Sequence, residues 1–480
     1  MRRSMPLLLI VMFALGGCML GPNYKRPAVD APKAFRFEEN AASALANTVW
    51  WEQFKDPVLD DLIKTALAEN KDVKIAAARV EEFLGKYGVS RSQLFPQVGA
   101  NTNASRNRAT QSAVPAPLPA TVDPQYTNIQ ASIYASWELD VWGKIRRLNE
   151  AARADLLATE EGRRATILTL VASVASAYIN LRDLDRQLEI ARATALSRGD
   201  SVKIFELRFK GGVVSELELA QNKSEYESAL ASIPQIQIQI SLQENGLSVL
   251  LGRNPGPVTR GREIAQLDVP AVPAGLPSEL LERRPDLRQA EQNLIAANAR
   301  IGAAKALYFP TISLTALLGG VSTQLSSLFS GSARVWSYAG NATVPVFTAG
   351  GIAGIVKQSE AQQQQALLQY QKSIQTAFQE VEDALVSLQQ SREQVAAQGR
   401  QVDSLRTYAR LARLRYENGY TSYLEVVDAE SRLFNAELSY TQTQGIVFTS
   451  LVSLYKAMGG GWVVDAERLT GVDSAPAGVR

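Results

Sequence analysis

A stretch of twelve residues occurs twice in this chain, and that recurrence limits the possible folds more than any other feature. Leu207-Arg208-Phe209-Lys210-Gly211-Gly212-Val213-Val214-Ser215-Glu216-Leu217-Glu218 precedes Leu414-Arg415-Tyr416-Glu417-Asn418-Gly419-Tyr420-Thr421-Ser422-Tyr423-Leu424-Glu425 by 207 residues. The same offset carries Gly143 onto Gly350 and Gly252 onto Gly459, and Phe95-Pro96 recurs as Phe309-Pro310 at an offset of 214. This is a tandem duplication with two copies, far longer in period than solenoid repeats. We divide the chain into a first repeat at 58–270 and a second at 271–459, with a tail at 460–480.

Each copy carries a very long helix. Ile167, Leu170, Val174, Ala177, Leu181, Leu184 and Leu188 alternate steps of three and four. Ile374, Ala377, Val381, Ala384, Leu388, Ser391 and Val395 repeat the pattern, which is a coiled-coil seam. No proline occurs from Gly143 to Phe209, so the spacing predicts helices at about 143–209 and 350–417. A helix of that length reaches roughly 100 Å, too long for a compact bundle. Gly211-Gly212 and Asn418-Gly419 are left-handed stop signals. Ser215-x-x-Glu218 and Ser422-x-x-Glu425 then read as capping boxes that start returning helices, about 212–252 and 419–458. Helical segments at 58–94 and 278–308 have the length to extend the shorter arms, with a break and restart at Pro285-Asp286. Gln235 to Ile240 alternates like a strand, but its place in the repeat argues for helix.

Four alternating segments separate the helices, at about 97–105, 126–137, 311–319 and 335–345. In the second, Ile129, Ala131, Ile133, Ala135 and Trp137 alternate with Asn128, Gln130, Ser132, Tyr134 and Ser136. Strands with one apolar and one polar face match a membrane barrel, although a soluble hairpin pair has the same pattern. The proline-rich linker 106–125 and the Ser/Gly-rich linker 321–334 suit exposed loops. Even the smallest membrane barrels use about eight strands, and open edges are not tolerated in lipid. The chain must therefore associate, and a cyclic homotrimer would supply twelve strands. The expected fold class is mainly α with a membrane β-barrel portion.

The residue inventory disfavours an enzyme. There is no histidine and one cysteine, which removes His-based triads, zinc sites and disulfide frameworks together. We expect no catalytic residue, no metal and no cofactor. Lys plus Arg number 50 against 48 Asp plus Glu, so bulk charge gives no case for nucleic acid. The single cysteine, Cys18, follows Arg2, Arg3, an apolar run from Met5 to Leu15, and Gly16-Gly17. This predicts a signal peptide at 1–17 and a lipidated N-terminal segment at 18–57, unless the cysteine only happens to follow an ordinary signal. Met19 rather than an acid follows the cysteine, which favours the outer membrane. No later run reaches the length of a transmembrane helix; the nearest, Ala165 to Ile179, holds two Thr and two Ser.

These features resemble the TolC-type outer-membrane efflux proteins, especially the NodT/OprM-like lipoproteins that serve RND pumps. The matching motifs are Gly17-Cys18-Met19-Leu20-Gly21-Pro22-Asn23-Tyr24-Lys25-Arg26-Pro27, Gly275-Leu276-Pro277-Ser278-Glu279-Leu280-Leu281-Glu282-Arg283-Arg284-Pro285-Asp286, and Gly419 through Ala429. The resemblance implies a trimer whose twelve-helix α-barrel continues a twelve-stranded β-barrel in outer-membrane lipid. It implies a periplasmic adaptor and an inner-membrane RND transporter as partners, with drugs or other small molecules as cargo. A TolC-like exit duct for type I protein secretion is the alternative with the same fold.

The resemblance also implies roles for particular residues. Gly211, Gly212, Val213, Ser215, Asn418, Gly419, Tyr420 and Ser422 would be the tips that meet the adaptor. Leu424 and Asp428, four apart and so on one helix face, match positions that narrow the periplasmic mouth. Three copies of Asp428 would form an anionic ring favouring cations, although an exposed helix position would also carry an acid. Glu425 matches a second acidic ring in some members, or serves as the capping partner of Ser422. Tyr416 and Glu218 match residues that link neighbouring coils in the closed state. Thr421 stands where some members carry a basic partner for that link.

Overall fold

The computed structural model describes residues 19–29, 32, 34–37, 49–108, 124–270, 272, 279–459 and 462–471. Cys18 and the leader at 1–17 lie outside the described residues. The elements in chain order are α1 (Pro57–Glu69), α2 (Lys71–Ser92), β1 (Gln97–Arg108), β2 (Gln125–Leu139), α3 (Lys144–Lys210), α4 (Glu216–Leu250), α5 (Leu280–Arg283), α6 (Pro285–Ala306), β3 (Thr311–Ser322), β4 (Arg334–Thr343), α7 (Gly351–Glu417), α8 (Tyr423–Ala457) and α9 (Trp462–Leu469). Helices α3 and α7 are 67 residues each and α4 and α8 are 35 each, so each hairpin has one long and one short arm and the two match in length. The strand-like run Gln235 to Ile240 lies inside α4, where a proline, Pro234, is also accommodated. The chain divides into two compact units, one of residues 1–27, 81–158 and 290–369, the other of 28–80, 159–289 and 370–480.

The first unit holds one antiparallel sheet in the order β1-β2-β3-β4. Its register sorts the side chains. Val98 and Ala100 on β1, Ile133 and Ala135 on β2, Leu314, Ala316 and Leu318 on β3, and Trp336 and Tyr338 on β4 share one face. Asn101, Ser132, Ser136, Ser313, Thr315 and Asn341 share the other. The strands run further toward the loops than their alternation suggests, by three residues on β1 and on β3. Both outer strands, β1 and β4, have an edge with no partner strand among the described residues.

Residues 19–27 pack in the same unit. The Leu20 amide donates to the Trp142 carbonyl at 3.2 Å, and the buried Arg147 guanidinium donates to the carbonyls of Leu20 (3.0 Å) and Gly21 (3.3 Å) and to Asn23 Oδ1 (2.7 Å). Gly21 has φ +85°, and a Cβ there would lie 2.4 Å from the Gly302 Cα. Only glycine suits so close an approach. Ala151, Ala154, Ala296 and Ala299 form a buried contact between α3 and α6.

The second unit is built around the coiled-coil seams. Ile167, Leu170, Val174 and Leu181 of α3 are buried in one large core, and Val381, Ala384 and Leu388 of α7 in a second. A stretch of α3 is apolar and long enough to cross a membrane, yet 56% of it is buried against the helical core. Trp50, in a 3₁₀ turn at Trp50–Phe54, stacks on Tyr455 at 5.2 Å and meets Trp462 edge-on at 6.1 Å. The expected tail at 460–480 therefore contains a packed helix, α9. Trp462 and Val463 bury an apolar face that a tail would leave in water, worth about 2 kcal/mol for each large side chain. The segment 58–94 is two helices rather than one. Asn70 breaks it by capping α2, accepting from the amides of Asp72 (2.8 Å) and Val73 (3.1 Å) and donating to Leu250 O (2.9 Å). Asp56 caps α1 through the Val58 amide and accepts from the Tyr178 hydroxyl at 2.7 Å and the Arg262 amide at 3.0 Å. Burial and that carboxylate push the Tyr178 phenol well above its usual range.

Candidate functional site

The two hairpin tips have the same backbone. The α3 helix ends with Gly212 at φ +70° and the Val213 amide donating to Arg208 O at 2.9 Å. The α7 helix ends with Gly419 at φ +77° and the Tyr420 amide donating to Arg415 O at 2.9 Å. Both close the last turn with the residue three past the helix, and both need the left-handed conformation at glycine. Val213 and Tyr420 project into solvent, 73% and 78% exposed.

The starts of the returning helices differ. Ser215 and Glu218 form the reciprocal box: the Glu218 amide donates to Ser215 Oγ at 3.2 Å, and the Ser215 amide donates to Glu218 Oε2 at 2.9 Å. The box expected at Ser422 and Glu425 does not form, since Ser422 makes no side-chain cap. Glu425 is held instead by the Arg415 guanidinium at 3.2 Å and by the Thr421 hydroxyl. A cationic donor outcompetes a neutral amide for a carboxylate.

Behind the tips, side chains from both copies interlock. The Tyr423 ring lies 4.3 Å from Phe205 and 5.1 Å from Tyr416, centroid to centroid, over Ala409, Ala412, Val426 and Ala429. Asn222 donates to the Tyr423 hydroxyl at 2.8 Å and to Ser201 Oγ at 2.9 Å. Burial raises the Tyr423 phenol above its ordinary range. Tyr416 is raised as well, by burial and by the negative charge of Glu218, while Arg208 pulls the other way. Tyr416 and Glu218, expected as a link between coils, therefore interact within one chain.

Leu424 and Asp428 lie on the side of α8 away from Tyr423, Val426 and Ala429. Leu424 is 59% exposed, and its repeat mate Leu217 is 67% exposed. Asp428 pairs with Arg432 one turn on, at 2.9 Å. Sequence reasoning missed Phe205, Asn222 and Tyr423. Their signal is a break in the repeat, because the mates at 207 residues' distance are Ala412, Ala429 and Glu216. It also missed a cavity of about 600 Å³ among α3, α7 and α8, lined by Arg186, Arg198, Arg406, Arg410 and Arg413 with Phe434. Glu189, Glu430 and Glu437 line it too, leaving an excess of positive charge.

A repeated helical hairpin interrupted by a two-faced sheet with free edges is the architecture of a channel-forming envelope protein. The family model described as outer membrane efflux protein matches residues 62–253 and 276–460, and the chain belongs to that family of transport proteins. It is 36% identical over 473 residues to the toluene efflux pump outer membrane protein TtgC of Pseudomonas putida, covering 96% of each chain. It is 35% identical over 460 residues to the cation efflux system protein CusC of Escherichia coli, covering 94% of this chain and 97% of that one. The solved structure of the outer-membrane channel OprN superposes with a TM-score of 0.84 at 28% identity, over 93% of this chain and 100% of that one. The protein is an outer-membrane efflux channel with a TolC-like fold.

Proposed function

We propose that three copies close a twelve-stranded barrel and a twelve-helix tunnel, forming the exit duct of a tripartite RND efflux system that passes small molecules from the periplasm to the exterior. The observation that carries this reading is the four-stranded sheet, apolar on one face and polar on the other, with an unpaired edge at each side. Such edges are not stable in lipid, so β4 of one copy pairs with β1 of the next. Acylated Cys18 anchors each copy, and the grip of Arg147 and Trp142 on residues 20–23 supports an anchor close to the junction of β2 and α3. A periplasmic adaptor docks at the tips around Val213 and Tyr420 and along the arginine-lined cavity. An inner-membrane RND transporter feeds it.

Leu424, Asp428 and Glu425 narrow the periplasmic mouth, and the Tyr416–Glu218 contact holds the closed state. Asp428 supplies the charge of the ring and Arg432 moderates it. Relatives named for toluene and for cations match this chain equally well, so the duct is common to them and the pump selects the cargo. The test is electrophysiological and cellular together. Purified protein should form SDS-resistant trimers that conduct in planar bilayers, and deletion should raise accumulation of the pump's substrate. A monomer that does not conduct, or deletion without any change in accumulation when the cognate pump is expressed, would contradict the reading.

A further inference from the structure

The apolar face of the sheet ends in charge at one end only. From Ile312 to Gly320 that face is eight residue steps long, about 27 Å along the strand. Trp336 and Tyr338 lie on it, stacked at 5.7 Å with 11° between their planes. Beyond them, at the loop end, three arginines take positions on the same face. Arg106 and Arg108 continue the row Val98, Ala100, Thr102 and Ala104 on β1, and Arg334 sits two residues before Trp336 on β4, opposite Gly320. All three are exposed. Arg106 donates to Gln125 Oε1 at 3.2 Å, and none of the three has an acidic partner among the described residues.

The opposite end of the strands is arranged differently. There Lys144 pairs with Glu138 at 2.5 Å, Arg146 with Asp140 at 3.0 Å and Arg147 with Glu150 at 2.8 Å. The polar face at the loop end is also uncharged, carrying Ser105, Asn107, Tyr126 and Asn128. Charge meant for a water-filled lumen would stand on that polar face. Instead the cations stand on the apolar side past the aromatic pair, Arg334 two residue steps beyond Trp336, and Arg106 and Arg108 six and eight steps beyond the Trp336 level on β1. A cation at that depth costs little, since the penalty for charge on the lipid face falls toward the interface. Guanidinium groups bind phosphate through paired N–H donors, which a zwitterionic surface does not satisfy as well.

We propose that Arg106, Arg108 and Arg334 form a binding site for the phosphate groups of a phosphorylated glycolipid in the outer leaflet. This rests on the barrel reading above. There β4 of one copy meets β1 of the next, so Arg334 of one chain and Arg106 and Arg108 of its neighbour stand on the two strands that border each seam. One chain supplies only part of the site.

The experiment uses the full-length trimer in detergent, titrated with lipid A bisphosphate and read by native mass spectrometry. Dephosphorylated lipid A and inorganic phosphate serve as separate probes. The wild-type trimer should retain lipid A bisphosphate in preference to its dephosphorylated form. Combined Arg106→Gln, Arg108→Gln and Arg334→Gln should weaken retention about tenfold or more while the trimer persists. Equal retention of the two lipid forms by wild type would overturn the proposal without any variant. So would an unchanged affinity in the triple variant, or displacement of the lipid by inorganic phosphate at equal concentration. SDS-resistant trimer and conductance are read on the same samples, so failure of the site and failure of the barrel remain distinct.

Discussion

The two hairpin tips share a backbone and differ in what their side chains do. In the first copy Ser215 and Glu218 satisfy each other, and the tip is closed on itself. In the second, Glu425 turns to Arg415 and Thr421, Tyr423 reaches back to Asn222 of the first copy, and Asp428 stands where the first copy has Gln221. Duplication preserved the turn because glycine at positive φ and the αL cap are local requirements. The side chains around that turn differ between the two repeats, Tyr423 against Glu216 and Asp428 against Gln221.

The largest expected effect separates Tyr423 from its mate Glu216. Tyr423→Ala removes a buried ring and leaves Asn222 with Ser201 Oγ as its one remaining acceptor of the two. It should destabilise the tip by about 3–5 kcal/mol in chemical denaturation of the trimer. Glu216→Ala, on an exposed first turn, should stay within about 0.5 kcal/mol. Equal effects would mean that the two tips are energetically equivalent and the interlock is incidental.

A second contrast lies further up the same helices. Asp183 is half-buried against Gly445, bonded to Gln187 at 2.9 Å, with one oxygen unpartnered, and burial raises its pKa to about 6. Its mate in the second copy is the neutral Gln390. The folded pKa exceeds the ordinary value of 3.8, so the folded state binds the extra proton between about pH 4 and 6. Stability should fall as pH rises through that window and stay reduced above it. Asp183→Asn should gain roughly 2 kcal/mol at pH 7 and flatten the profile between pH 4 and 6, as read by thermal unfolding across pH. A variant that keeps the wild-type slope would place the titration elsewhere.

The smaller effect concerns the caps. Ser215→Ala should cost about 1 kcal/mol and speed amide exchange in the first turn of α4. Ser422→Ala should alter the first turn of α8 by a few tenths at most, because no cap bond is lost. Reversed sensitivities would show that the box forms at Ser422 after all.

The seams and the stop signals were legible because each is set by neighbours within a few residues, and the repeat because it recurs at a fixed offset. Of the seam positions, Ile167, Leu170, Val174 and Leu181 are buried and Ala177 is partly so, packed against the same core. The box at Ser422 failed for a reason the spacing cannot express, since Arg415 lies ten residues from Glu425 in sequence yet reaches it across the turn. The Tyr423–Asn222 bond joins residues 201 apart, and no local pattern marks it. Helix α9 was hidden because its burial depends on Trp50 and Trp51, more than four hundred residues away. Of the proposed gate, the sequence places Leu424 and Asp428 on one face, whereas Arg432 as the partner of Asp428 emerged from the structure.

Single-channel recording in planar bilayers tests the central proposal, that Asp428 of the second repeat supplies a charge at the mouth that Gln221 of the first does not. Asp428→Ala should lower cation preference, and Arg432→Ala should raise it by freeing the carboxylate. Leu424→Ala should increase the time spent open, while Gln221→Ala should leave selectivity as in wild type. Unchanged cation selectivity in Asp428→Ala, in a trimer that still conducts, would contradict the assignment of the gate.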